Sequence, residues 1–411
     1  MQNLQLDKES YFASQKSKII SQLKFAKKSV PYYKEKLKNV NLSDIKTYED
    51  FCNNIPIIES DDVLNNPKEF SSNLPILFVR CSSSTTGKPK EVFLTARDLK
   101  LWVEEGRLTI TPYFKQGMVV AFSERKEKHY LSGLKEAVEF SGGKTLNFNP
   151  CILSELIDAV KKADILLDYA EMIYYISNKL KEANIQLNKK LILSYTGNIL
   201  EEIDIKTIKE NFKKSGIEAK VFSEYSTTEM GPIGCSNNIE HNKFKIIYNN
   251  IVFIEVINPI TNKPSDIGEI IATTLNRTGS VFIRYKIGDI GKLSFGASFP
   301  IFTLQQRKKG IKVASVFLSP EQIFRIIRRE LNCPIYCEIY LKQNKCFSNI
   351  QIDIVTEKDF DNVAMDKLKE KLLEELELED DENITAKMQI KLYKRKLNDM
   401  ELRKGFKLTN D

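Results

Sequence analysis

Apolar residues along this chain recur with two periods, and the two periods alternate. From Lys18 to Lys38 they recur at helical spacing, which predicts an amphipathic helix interrupted at Pro31. Ile76 to Val79 is a short apolar run that reads as a strand. Thr95 and Asp98 offer a cap for a helix over Leu99 to Gln116. Met118 to Ser123 predicts a strand and Gly133 to Phe140 a helix. The alternation then repeats: strand Ile165 to Leu167, helix Tyr169 to Ala183, strand Lys190 to Tyr195, helix Ile203 to Lys214, strand Ala219 to Phe222. Strands that alternate with helices predict an α/β core with parallel pairing.

Beyond Glu229 the period of two dominates. Phe244 to Tyr248, Ile251 to Asn258, Gly268 to Leu275 and Ser280 to Tyr285 read as strands, with turn signals at Asn249-Asn250 and Asn258-Pro259. They predict an antiparallel β subdomain. From about Thr303 a smaller α+β unit is expected. It has helices over Gln322 to Leu331 and Val363 to Leu376, and strands over Ile335 to Lys342, Ile350 to Val355 and Gln389 to Tyr393. The expected fold class is therefore α/β: a large N-terminal α/β domain with a β subdomain, plus a small C-terminal α+β domain. A length of 411 residues also exceeds what one hydrophobic core supports.

Composition narrows the function classes. Net charge is +7, but Lys is interleaved with Glu and Asp along the helical stretches. That reads as solvated helix surface, so no nucleic-acid partner is expected; a mild positive field suits an anionic nucleotide. Seven Cys lack C-x-x-C spacing, and only His129 and His241 could join Cys333 and Cys337 in a zinc set. Unpaired thiols fit a reducing compartment. Met1 to Lys18 alternates charge and polarity, unlike a signal peptide, and no stretch approaches the roughly 20 apolar residues of a membrane span. A cytoplasmic chain is expected, as monomer or homodimer.

Three segments carry chemistry. Cys81-Ser82-Ser83-Ser84-Thr85-Thr86-Gly87-Lys88-Pro89-Lys90 follows the strand Ile76 to Val79. Its hydroxyls and backbone N–H groups can converge on one anion, with Lys88 and Lys90 adding charge. It is not a Walker loop, because no Ser or Thr follows Lys88; a hydroxyl-rich surface loop is the other reading. Ser223-Glu224-Tyr225-Ser226-Thr227-Thr228-Glu229 follows the strand Ala219 to Phe222, at the strand end where α/β proteins bind ligands. Glu229 can hold a hard cation, Thr228 can bond a phosphate oxygen and Tyr225 can stack on a base; a plain turn with a surface Glu is the alternative. In Arg284-Tyr285-Lys286-Ile287-Gly288-Asp289, the Asp can accept two hydrogen bonds from a ribose diol.

Together, and in this order, the three segments resemble the adenylate-forming superfamily of acyl- and aryl-CoA ligases, nonribosomal adenylation domains and luciferases. Val30-Pro31-Tyr32-Tyr33, Tyr48-Glu49-Asp50-Phe51, Ile55-Pro56 and Gly268 to Leu275 resemble its phenylacetate-CoA ligase branch. That branch takes in capsule-biosynthesis relatives and acyl-protein synthetases. The resemblance runs from Val30 to about Lys407.

The resemblance implies an ATP-dependent acid–thiol ligase. An acyl-adenylate forms first, and its acyl group then passes to CoA or to the phosphopantetheine of an acyl or peptidyl carrier protein. Ser82, Ser83, Ser84, Thr85, Thr86, Gly87 and Lys90 would hold phosphates. Tyr225, Ser226, Thr227, Asp289 and Arg307 would bind the nucleotide. Thr228 and Glu229 would act at the reacting phosphate, with Glu229 on Mg²⁺. A tail lysine, Lys407 or Lys404, would contact the α-phosphate. Domains over 1–304 and 305–411 would be joined by a hinge near Arg307, with the C-terminal one mobile.

Four departures stand out: Ser84 for a usual Gly, Lys286-Ile287 before Gly288, Lys308-Lys309 after Arg307, and Ala314-Ser315 on the strand expected to meet the pantetheine channel. The last bears on the second half-reaction. Acyl transfer through Cys333, Cys337 or Cys346, and a non-catalytic nucleotide-binding role in a biosynthetic complex, are the alternatives. The acid is expected to be a small aromatic or acyl one; Trp102, His129, Tyr130, Tyr195 and Gly197 are candidate pocket residues, though residues such as Trp102 and Tyr195 are more often core.

Overall fold

The computed structural model of the chain describes residues 7–81, 90–110, 114–123, 132–197, 200, 202–236, 242–296, 300–307, 311–313, 316–318, 320–333, 335–343, 348–375, 386–395, 397 and 406–410. Helix α1 (Lys8–Ser29) begins at Lys8 rather than Lys18, because Asp7 and Ser10 form a capping box ahead of it. Pro31 restarts the helix rather than merely interrupting it. It occupies the first turn of α2 (Pro31–Lys36), where its missing N–H costs nothing. Two short helices follow, α3 (Tyr48–Asn54) and α4 (Ser60–Asn65).

A hairpin of β1 (Phe78–Cys81) and β2 (Glu91–Leu94) brackets the hydroxyl-rich segment. The apolar run Ile76 to Val79, expected to be a strand, is largely exposed, and the strand begins only at Phe78. Helix α5 (Ala96–Ile110) leads into the α/β region. That region contains β3 (Val119–Ser123), α6 (Ser132–Phe140), β4 (Lys144–Phe148), α7 (Leu153–Lys162), β5 (Ile165–Tyr169), α8 (Ala170–Glu182), β6 (Lys189–Thr196), α9 (Glu202–Lys214) and β7 (Ile217–Thr227). Strands β4, β3, β5, β6 and β7 lie side by side in that order, all parallel.

The antiparallel strands do not form a separate sheet. Strands β8 (Gly231–Cys235), β9 (Lys243–Lys245), β10 (Val252–Ile257), β11 (Ile267–Thr274), β12 (Tyr285–Phe295) and β13 (Pro300–Arg307) continue the parallel sheet outward from β7. The order is β7-β8-β9-β13-β12-β11-β10, giving eleven strands in one sheet. The segment Ser280 to Tyr285, expected to be a strand, is irregular up to Arg284. Its backbone bonds go elsewhere: Val281 N donates to Phe70 O, Ile283 N to the Tyr33 hydroxyl and Ser280 N to Phe93 O. Arg284 itself has φ +53° and pairs with Glu255 inside the protein, while its Nη1 donates to the carbonyls of Cys52 and Ile55. Thus α3 and α2 are pinned to the start of β12.

Each face of the parallel half has its own core. Ala121, Leu166 and Leu193 pack with α7, α8 and α9, whereas Val120, Phe122, Ile165 and Leu167 pack beneath α6. The alternation follows from the period of two in strands covered on both faces. Aromatic residues Tyr11, Phe12, Tyr48 and Phe51 from α1 and α3 close on Phe253 of β10.

The C-terminal region has a hairpin of β14 (Ile311–Val313) and β15 (Val316–Leu318), helix α10 (Pro320–Leu331), β16 (Ile335–Gln343), β17 (Ser348–Thr356), α11 (Asn362–Glu375), β18 (Ala386–Lys394) and β19 (Phe406–Asn410). Strands β18-β17-β16-β19 make a four-stranded sheet with its own core under α10 and α11. This sheet lies against α8 and α9. Arg328 Nη2 is 2.6 Å from Asp204 Oδ2, its guanidinium sits 4.6 Å from the Tyr174 ring, and Lys358 pairs with Glu182 at 2.9 Å. No helix among the described residues is long and apolar enough to cross a membrane.

Candidate active site

The site grows out of β7. From Ile217 to Ser223 this strand pairs parallel with β6, and from Glu224 to Thr227 it pairs antiparallel with β8. At the changeover the strand leaves its parallel neighbour and enters a turn over residues 228–230. That geometry exposes the strand's carboxyl end, the usual ligand edge of an α/β sheet.

Glu229 lies in the turn and is 7% exposed. Its Oε1 accepts from Lys90 Nζ at 2.7 Å and from the Tyr285 hydroxyl at 2.7 Å, and Lys90 Nζ also reaches the Tyr285 oxygen at 2.7 Å. Three elements thus meet at one carboxylate: the start of β2, the turn after β7 and the start of β12. Burial alone would raise the Glu229 carboxyl, but the charge and hydrogen bond of Lys90, together with the Tyr285 bond, hold it below the usual carboxylate value. Burial and the neighbouring Glu229 push the Tyr285 phenol up, so it donates and stays neutral.

The backbone of that turn is clamped from behind. Arg277, wholly buried, donates from Nη2 to the carbonyls of Glu229 at 2.8 Å and Met230 at 3.3 Å. Its guanidinium lies 4.4 Å from the Trp102 ring, and Arg80 lies 5.0 Å from the same ring. Burial pushes Arg277 down to about 10. Gly231 has φ +82°, and a Cβ there would sit 2.8 Å from the Trp102 ring, so only glycine lets the turn close on the indole. Asp98 accepts from Thr278 N at 2.8 Å and Gly279 N at 2.7 Å, which fixes the loop carrying Arg277 to the first turn of α5.

Asp289 is 2% exposed, and its Oδ2 accepts from the Tyr225 hydroxyl at 2.5 Å. Gly288 before it has φ +90° in open space, the conformation that turns Asp289 inward. Arg307 stands opposite Asp289 in the β12–β13 register. Tyr225 packs against Phe302 at 4.9 Å and Phe244 at 5.5 Å and is buried, so its ring is already part of the core beside the Asp289 carboxylate.

The fold therefore gathers Lys90, Tyr225, Glu229 and Asp289, with Arg307 in register beside the last. Ser226 is exposed, with its Oγ 3.2 Å from Thr196 Oγ1; Thr227 Oγ1 accepts from Met230 N at 3.0 Å; Thr228 is half-buried in the turn. Ser82 to Gly87, Lys404, His129, Tyr130 and Cys346 lie outside the described residues. Lys407 falls on β19, opposite Glu338 of the four-stranded sheet. Trp102 and Tyr195 are buried, and Gly197 is exposed. Cys333 and Cys337 are fully buried, the first with Sγ 3.4 Å from Thr356 Oγ1.

Sequence reasoning did not single out Arg277, Tyr285 as a partner of Glu229, or Glu224. A signal existed only for Glu224, an acidic residue inside a strand among small hydroxyl and aromatic residues. Among the described residues no group of three or more His, Cys, Asp or Glu could hold a metal. A single carboxylate still fits Mg²⁺, which keeps several waters and binds through one or two carboxylates plus phosphate oxygens.

No protein-family model matches the sequence, and no curated protein sequence matches it. Solved structures do. The chain superposes on 2-hydroxyisobutyryl-CoA ligase in its postadenylation state with a TM-score of 0.72 at 15% identity, covering 97% of this chain and 90% of that one. The McyG A-PCP structure complexed with phenylalanyl-adenylate gives 0.57 at 15% identity over 79% of this chain and 63% of that one. ATP-bound MatB from Rhodopseudomonas palustris gives 0.51 at 15% identity over 79% and 66%. At such identities the likeness speaks for the fold: this chain has the α/β fold of the adenylate-forming enzymes over nearly its whole length.

Proposed function

We propose that the protein activates a small carboxylic acid with ATP and transfers the acyl group to a thiol, as a phenylacetate-CoA ligase-like enzyme. The observation that carries this reading is the convergence of Lys90, Glu229 and Tyr285 beside the Tyr225–Asp289 pair, at the carboxyl end of β7. In the first half-reaction the substrate carboxylate attacks the α-phosphorus of ATP and pyrophosphate departs. In the second, the thiol of CoA or of a carrier protein's phosphopantetheine attacks the mixed anhydride and AMP departs.

Each residue has a part that its surroundings favour. Lys90 is held by Glu229 and Tyr285, a cation poised where the hydroxyl-rich segment Ser82 to Gly87 returns to β2. Asp289, aligned by the Tyr225 hydroxyl, presents acceptors to the ribose diol, with Arg307 adjacent in register. Glu229 would hold Mg²⁺, which when bound supplies charge neutralisation on the phosphates. Arg277 keeps the Glu229 backbone in place so that the carboxylate needs no reorganisation. Residues 305–411 act as a mobile unit that brings Lys407, or Lys404, to the α-phosphate in the first step. The burial of Cys333 and Cys337 favours direct transfer over an acyl-cysteine intermediate.

The test is pyrophosphate exchange into ATP over a panel of aromatic, fatty and amino acids, followed by thioester formation with CoA and with a phosphopantetheinylated carrier protein. Acid-dependent exchange is expected. ATP turnover that no acid stimulates would remove the ligase reading.

A further inference from the structure

Two guanidinium groups lie over one indole beside the site. Trp102, the only tryptophan of the chain, is buried on α5. Arg277 lies 4.4 Å from its ring and Arg80 lies 5.0 Å from it. Direct contacts join this stack to the candidate active site. Arg277 Nη2 donates to the Glu229 carbonyl at 2.8 Å, and the Glu229 carboxylate takes Lys90 Nζ at 2.7 Å. The hairpin supplies a second link. Arg80 of β1 stands opposite Val92 of β2, and Lys90 is two positions before Val92. The period of two therefore puts Arg80 and Lys90 on one face of the hairpin, the face that buries Val92. Val79 and Cys81, on the opposite face, are exposed.

The two guanidiniums differ from the other buried arginines in what they lack. Arg284 pairs with Glu255 and Arg328 with Asp204, but among the described residues neither Arg277 nor Arg80 makes an ion pair. Arg277 is wholly buried, and its Nε and Nη1 have no hydrogen-bond partner among the described residues. The carboxylates at hand are already engaged. Asp98 accepts from the backbone of Thr95, Thr278 and Gly279, and Glu229 Oε1 accepts from Lys90 and Tyr285. Burial lowers the Arg277 guanidinium; Asp98 opposes the shift and the neighbouring Arg80 adds to it. Arg80 itself is half-buried, and its side chain makes no hydrogen bond among the described residues. An aromatic face holds a guanidinium without using its N–H donors. Arg80 is thus fixed in place with its donor fork free, in a corner that carries uncompensated positive charge.

We propose that Arg80 is a further polyphosphate-binding residue: held on Trp102 and backed by Arg277, its guanidinium takes oxygens of the triphosphate tail of ATP and then of the departing pyrophosphate, across from Lys90. The proposal rests on the adenylate-forming reading for the identity of the anion, and it adds a residue that lies outside the hydroxyl-rich segment. The hairpin favours the polyphosphate over the acid, because Arg80 and Lys90 flank the two ends of that segment in the sequence. A polyphosphate carries several negative charges on closely spaced oxygens, which suits a planar donor fork beside an ammonium. Its charge also offsets the repulsion between the two guanidiniums.

Trp102 is the reporter for the test. Inorganic pyrophosphate titrated into the protein should change the Trp102 emission saturably, and Arg80→Gln should weaken that binding by about tenfold or more. AMP, which lacks the β- and γ-phosphates, should bind both proteins alike. Calorimetry repeats each titration, so the affinities are read even if the emission does not move. Arg80→Lys keeps the charge and loses the fork; it is the second variant should the first not fold, and it should weaken pyrophosphate binding severalfold. Wild-type pyrophosphate affinity in the folded variant, or an equal loss for AMP and pyrophosphate, would overturn the proposal. So would a rise confined to the Michaelis constant of the acid, or a wild-type protein that binds no pyrophosphate. Binding of pyrophosphate that depends on Arg80, with no acid-dependent exchange, would keep the anion site and break the ligase reading instead.

Discussion

Glu224 and Glu229 are five positions apart in one segment and both are buried, yet their surroundings drive them in opposite directions. Glu229 has Lys90 and Tyr285 on one oxygen and is held below the usual carboxylate value. Glu224 has a single serine hydroxyl and is pushed up to about 7. Burial acts on both in the same sense, so the partner decides the outcome: an adjacent cation reverses the desolvation penalty, and a neutral hydroxyl does not. One strand end thereby carries a carboxylate kept ionised by its cation and a carboxyl that burial holds toward the neutral form.

The sharpest way to break this contrast is to remove the cation. Lys90→Met should leave Glu229 buried without its counter-charge and destabilise the protein by about 3 kcal/mol. It should also raise the Glu229 carboxyl toward the behaviour of Glu224. Chemical denaturation measures the first effect, and a stability equal to wild type would show that the ion pair contributes nothing.

The two carboxyls should also respond to pH with opposite sign. Glu224 binds its proton more tightly in the folded state than in the unfolded one. Its contribution is therefore fully present below pH 4.5, the unfolded value, and is lost as pH rises to about 7. Glu229 is depressed, so its contribution is present above that unfolded value and lost as pH falls through the folded one. The stability difference between wild type and Glu224→Gln should accordingly shrink across that interval, by at most about 3 kcal/mol. A pH-independent difference in denaturation midpoints would contradict the assignment.

For catalysis, Glu229→Gln keeps the shape and removes the charge. Pyrophosphate exchange should fall by about a hundredfold or more, with thermal stability lowered because Lys90 loses its counter-charge, and wild-type exchange would take Glu229 out of the mechanism. Asp289→Ala should have the mildest effect of the four, raising the Michaelis constant for ATP by about tenfold through loss of the ribose acceptors and of the Tyr225 alignment. An unchanged constant would sink that role.

Much of the fold was legible where local pattern and tertiary demand agree. Strands β3, β5 and β6 and helices α8 and α9 fall close to the segments expected from periodicity, because both faces of the parallel sheet are covered and the period is strict. The misreadings have physical causes. The start of α1 depends on a capping box at Asp7 and Ser10 rather than on apolar spacing. Ser280 to Arg284 is apolar enough for a strand but gives its backbone bonds to Phe70, Phe93 and Tyr33. The antiparallel segments read as a separate subdomain, yet β7 is long enough to pair with β6 over one half and β8 over the other, so the sheet is continuous.

What the sequence determined by itself is the inventory and order of chemical groups: the hydroxyl-rich segment ending at Lys90, the Tyr225-to-Glu229 turn and the Gly288-Asp289 step. Such short segments carry their own backbone requirements, as the positive φ at Gly288 illustrates. The tertiary structure decided which groups meet and therefore how each is charged. Lys90 and Glu229 are 139 positions apart, Tyr285 and Glu229 56, and Arg277 and the Glu229 carbonyl 48. No local period encodes such contacts, and protonation depends on the distances and burial they create. Two glutamates that look alike in the sequence become different chemical species only once the chain has folded around them.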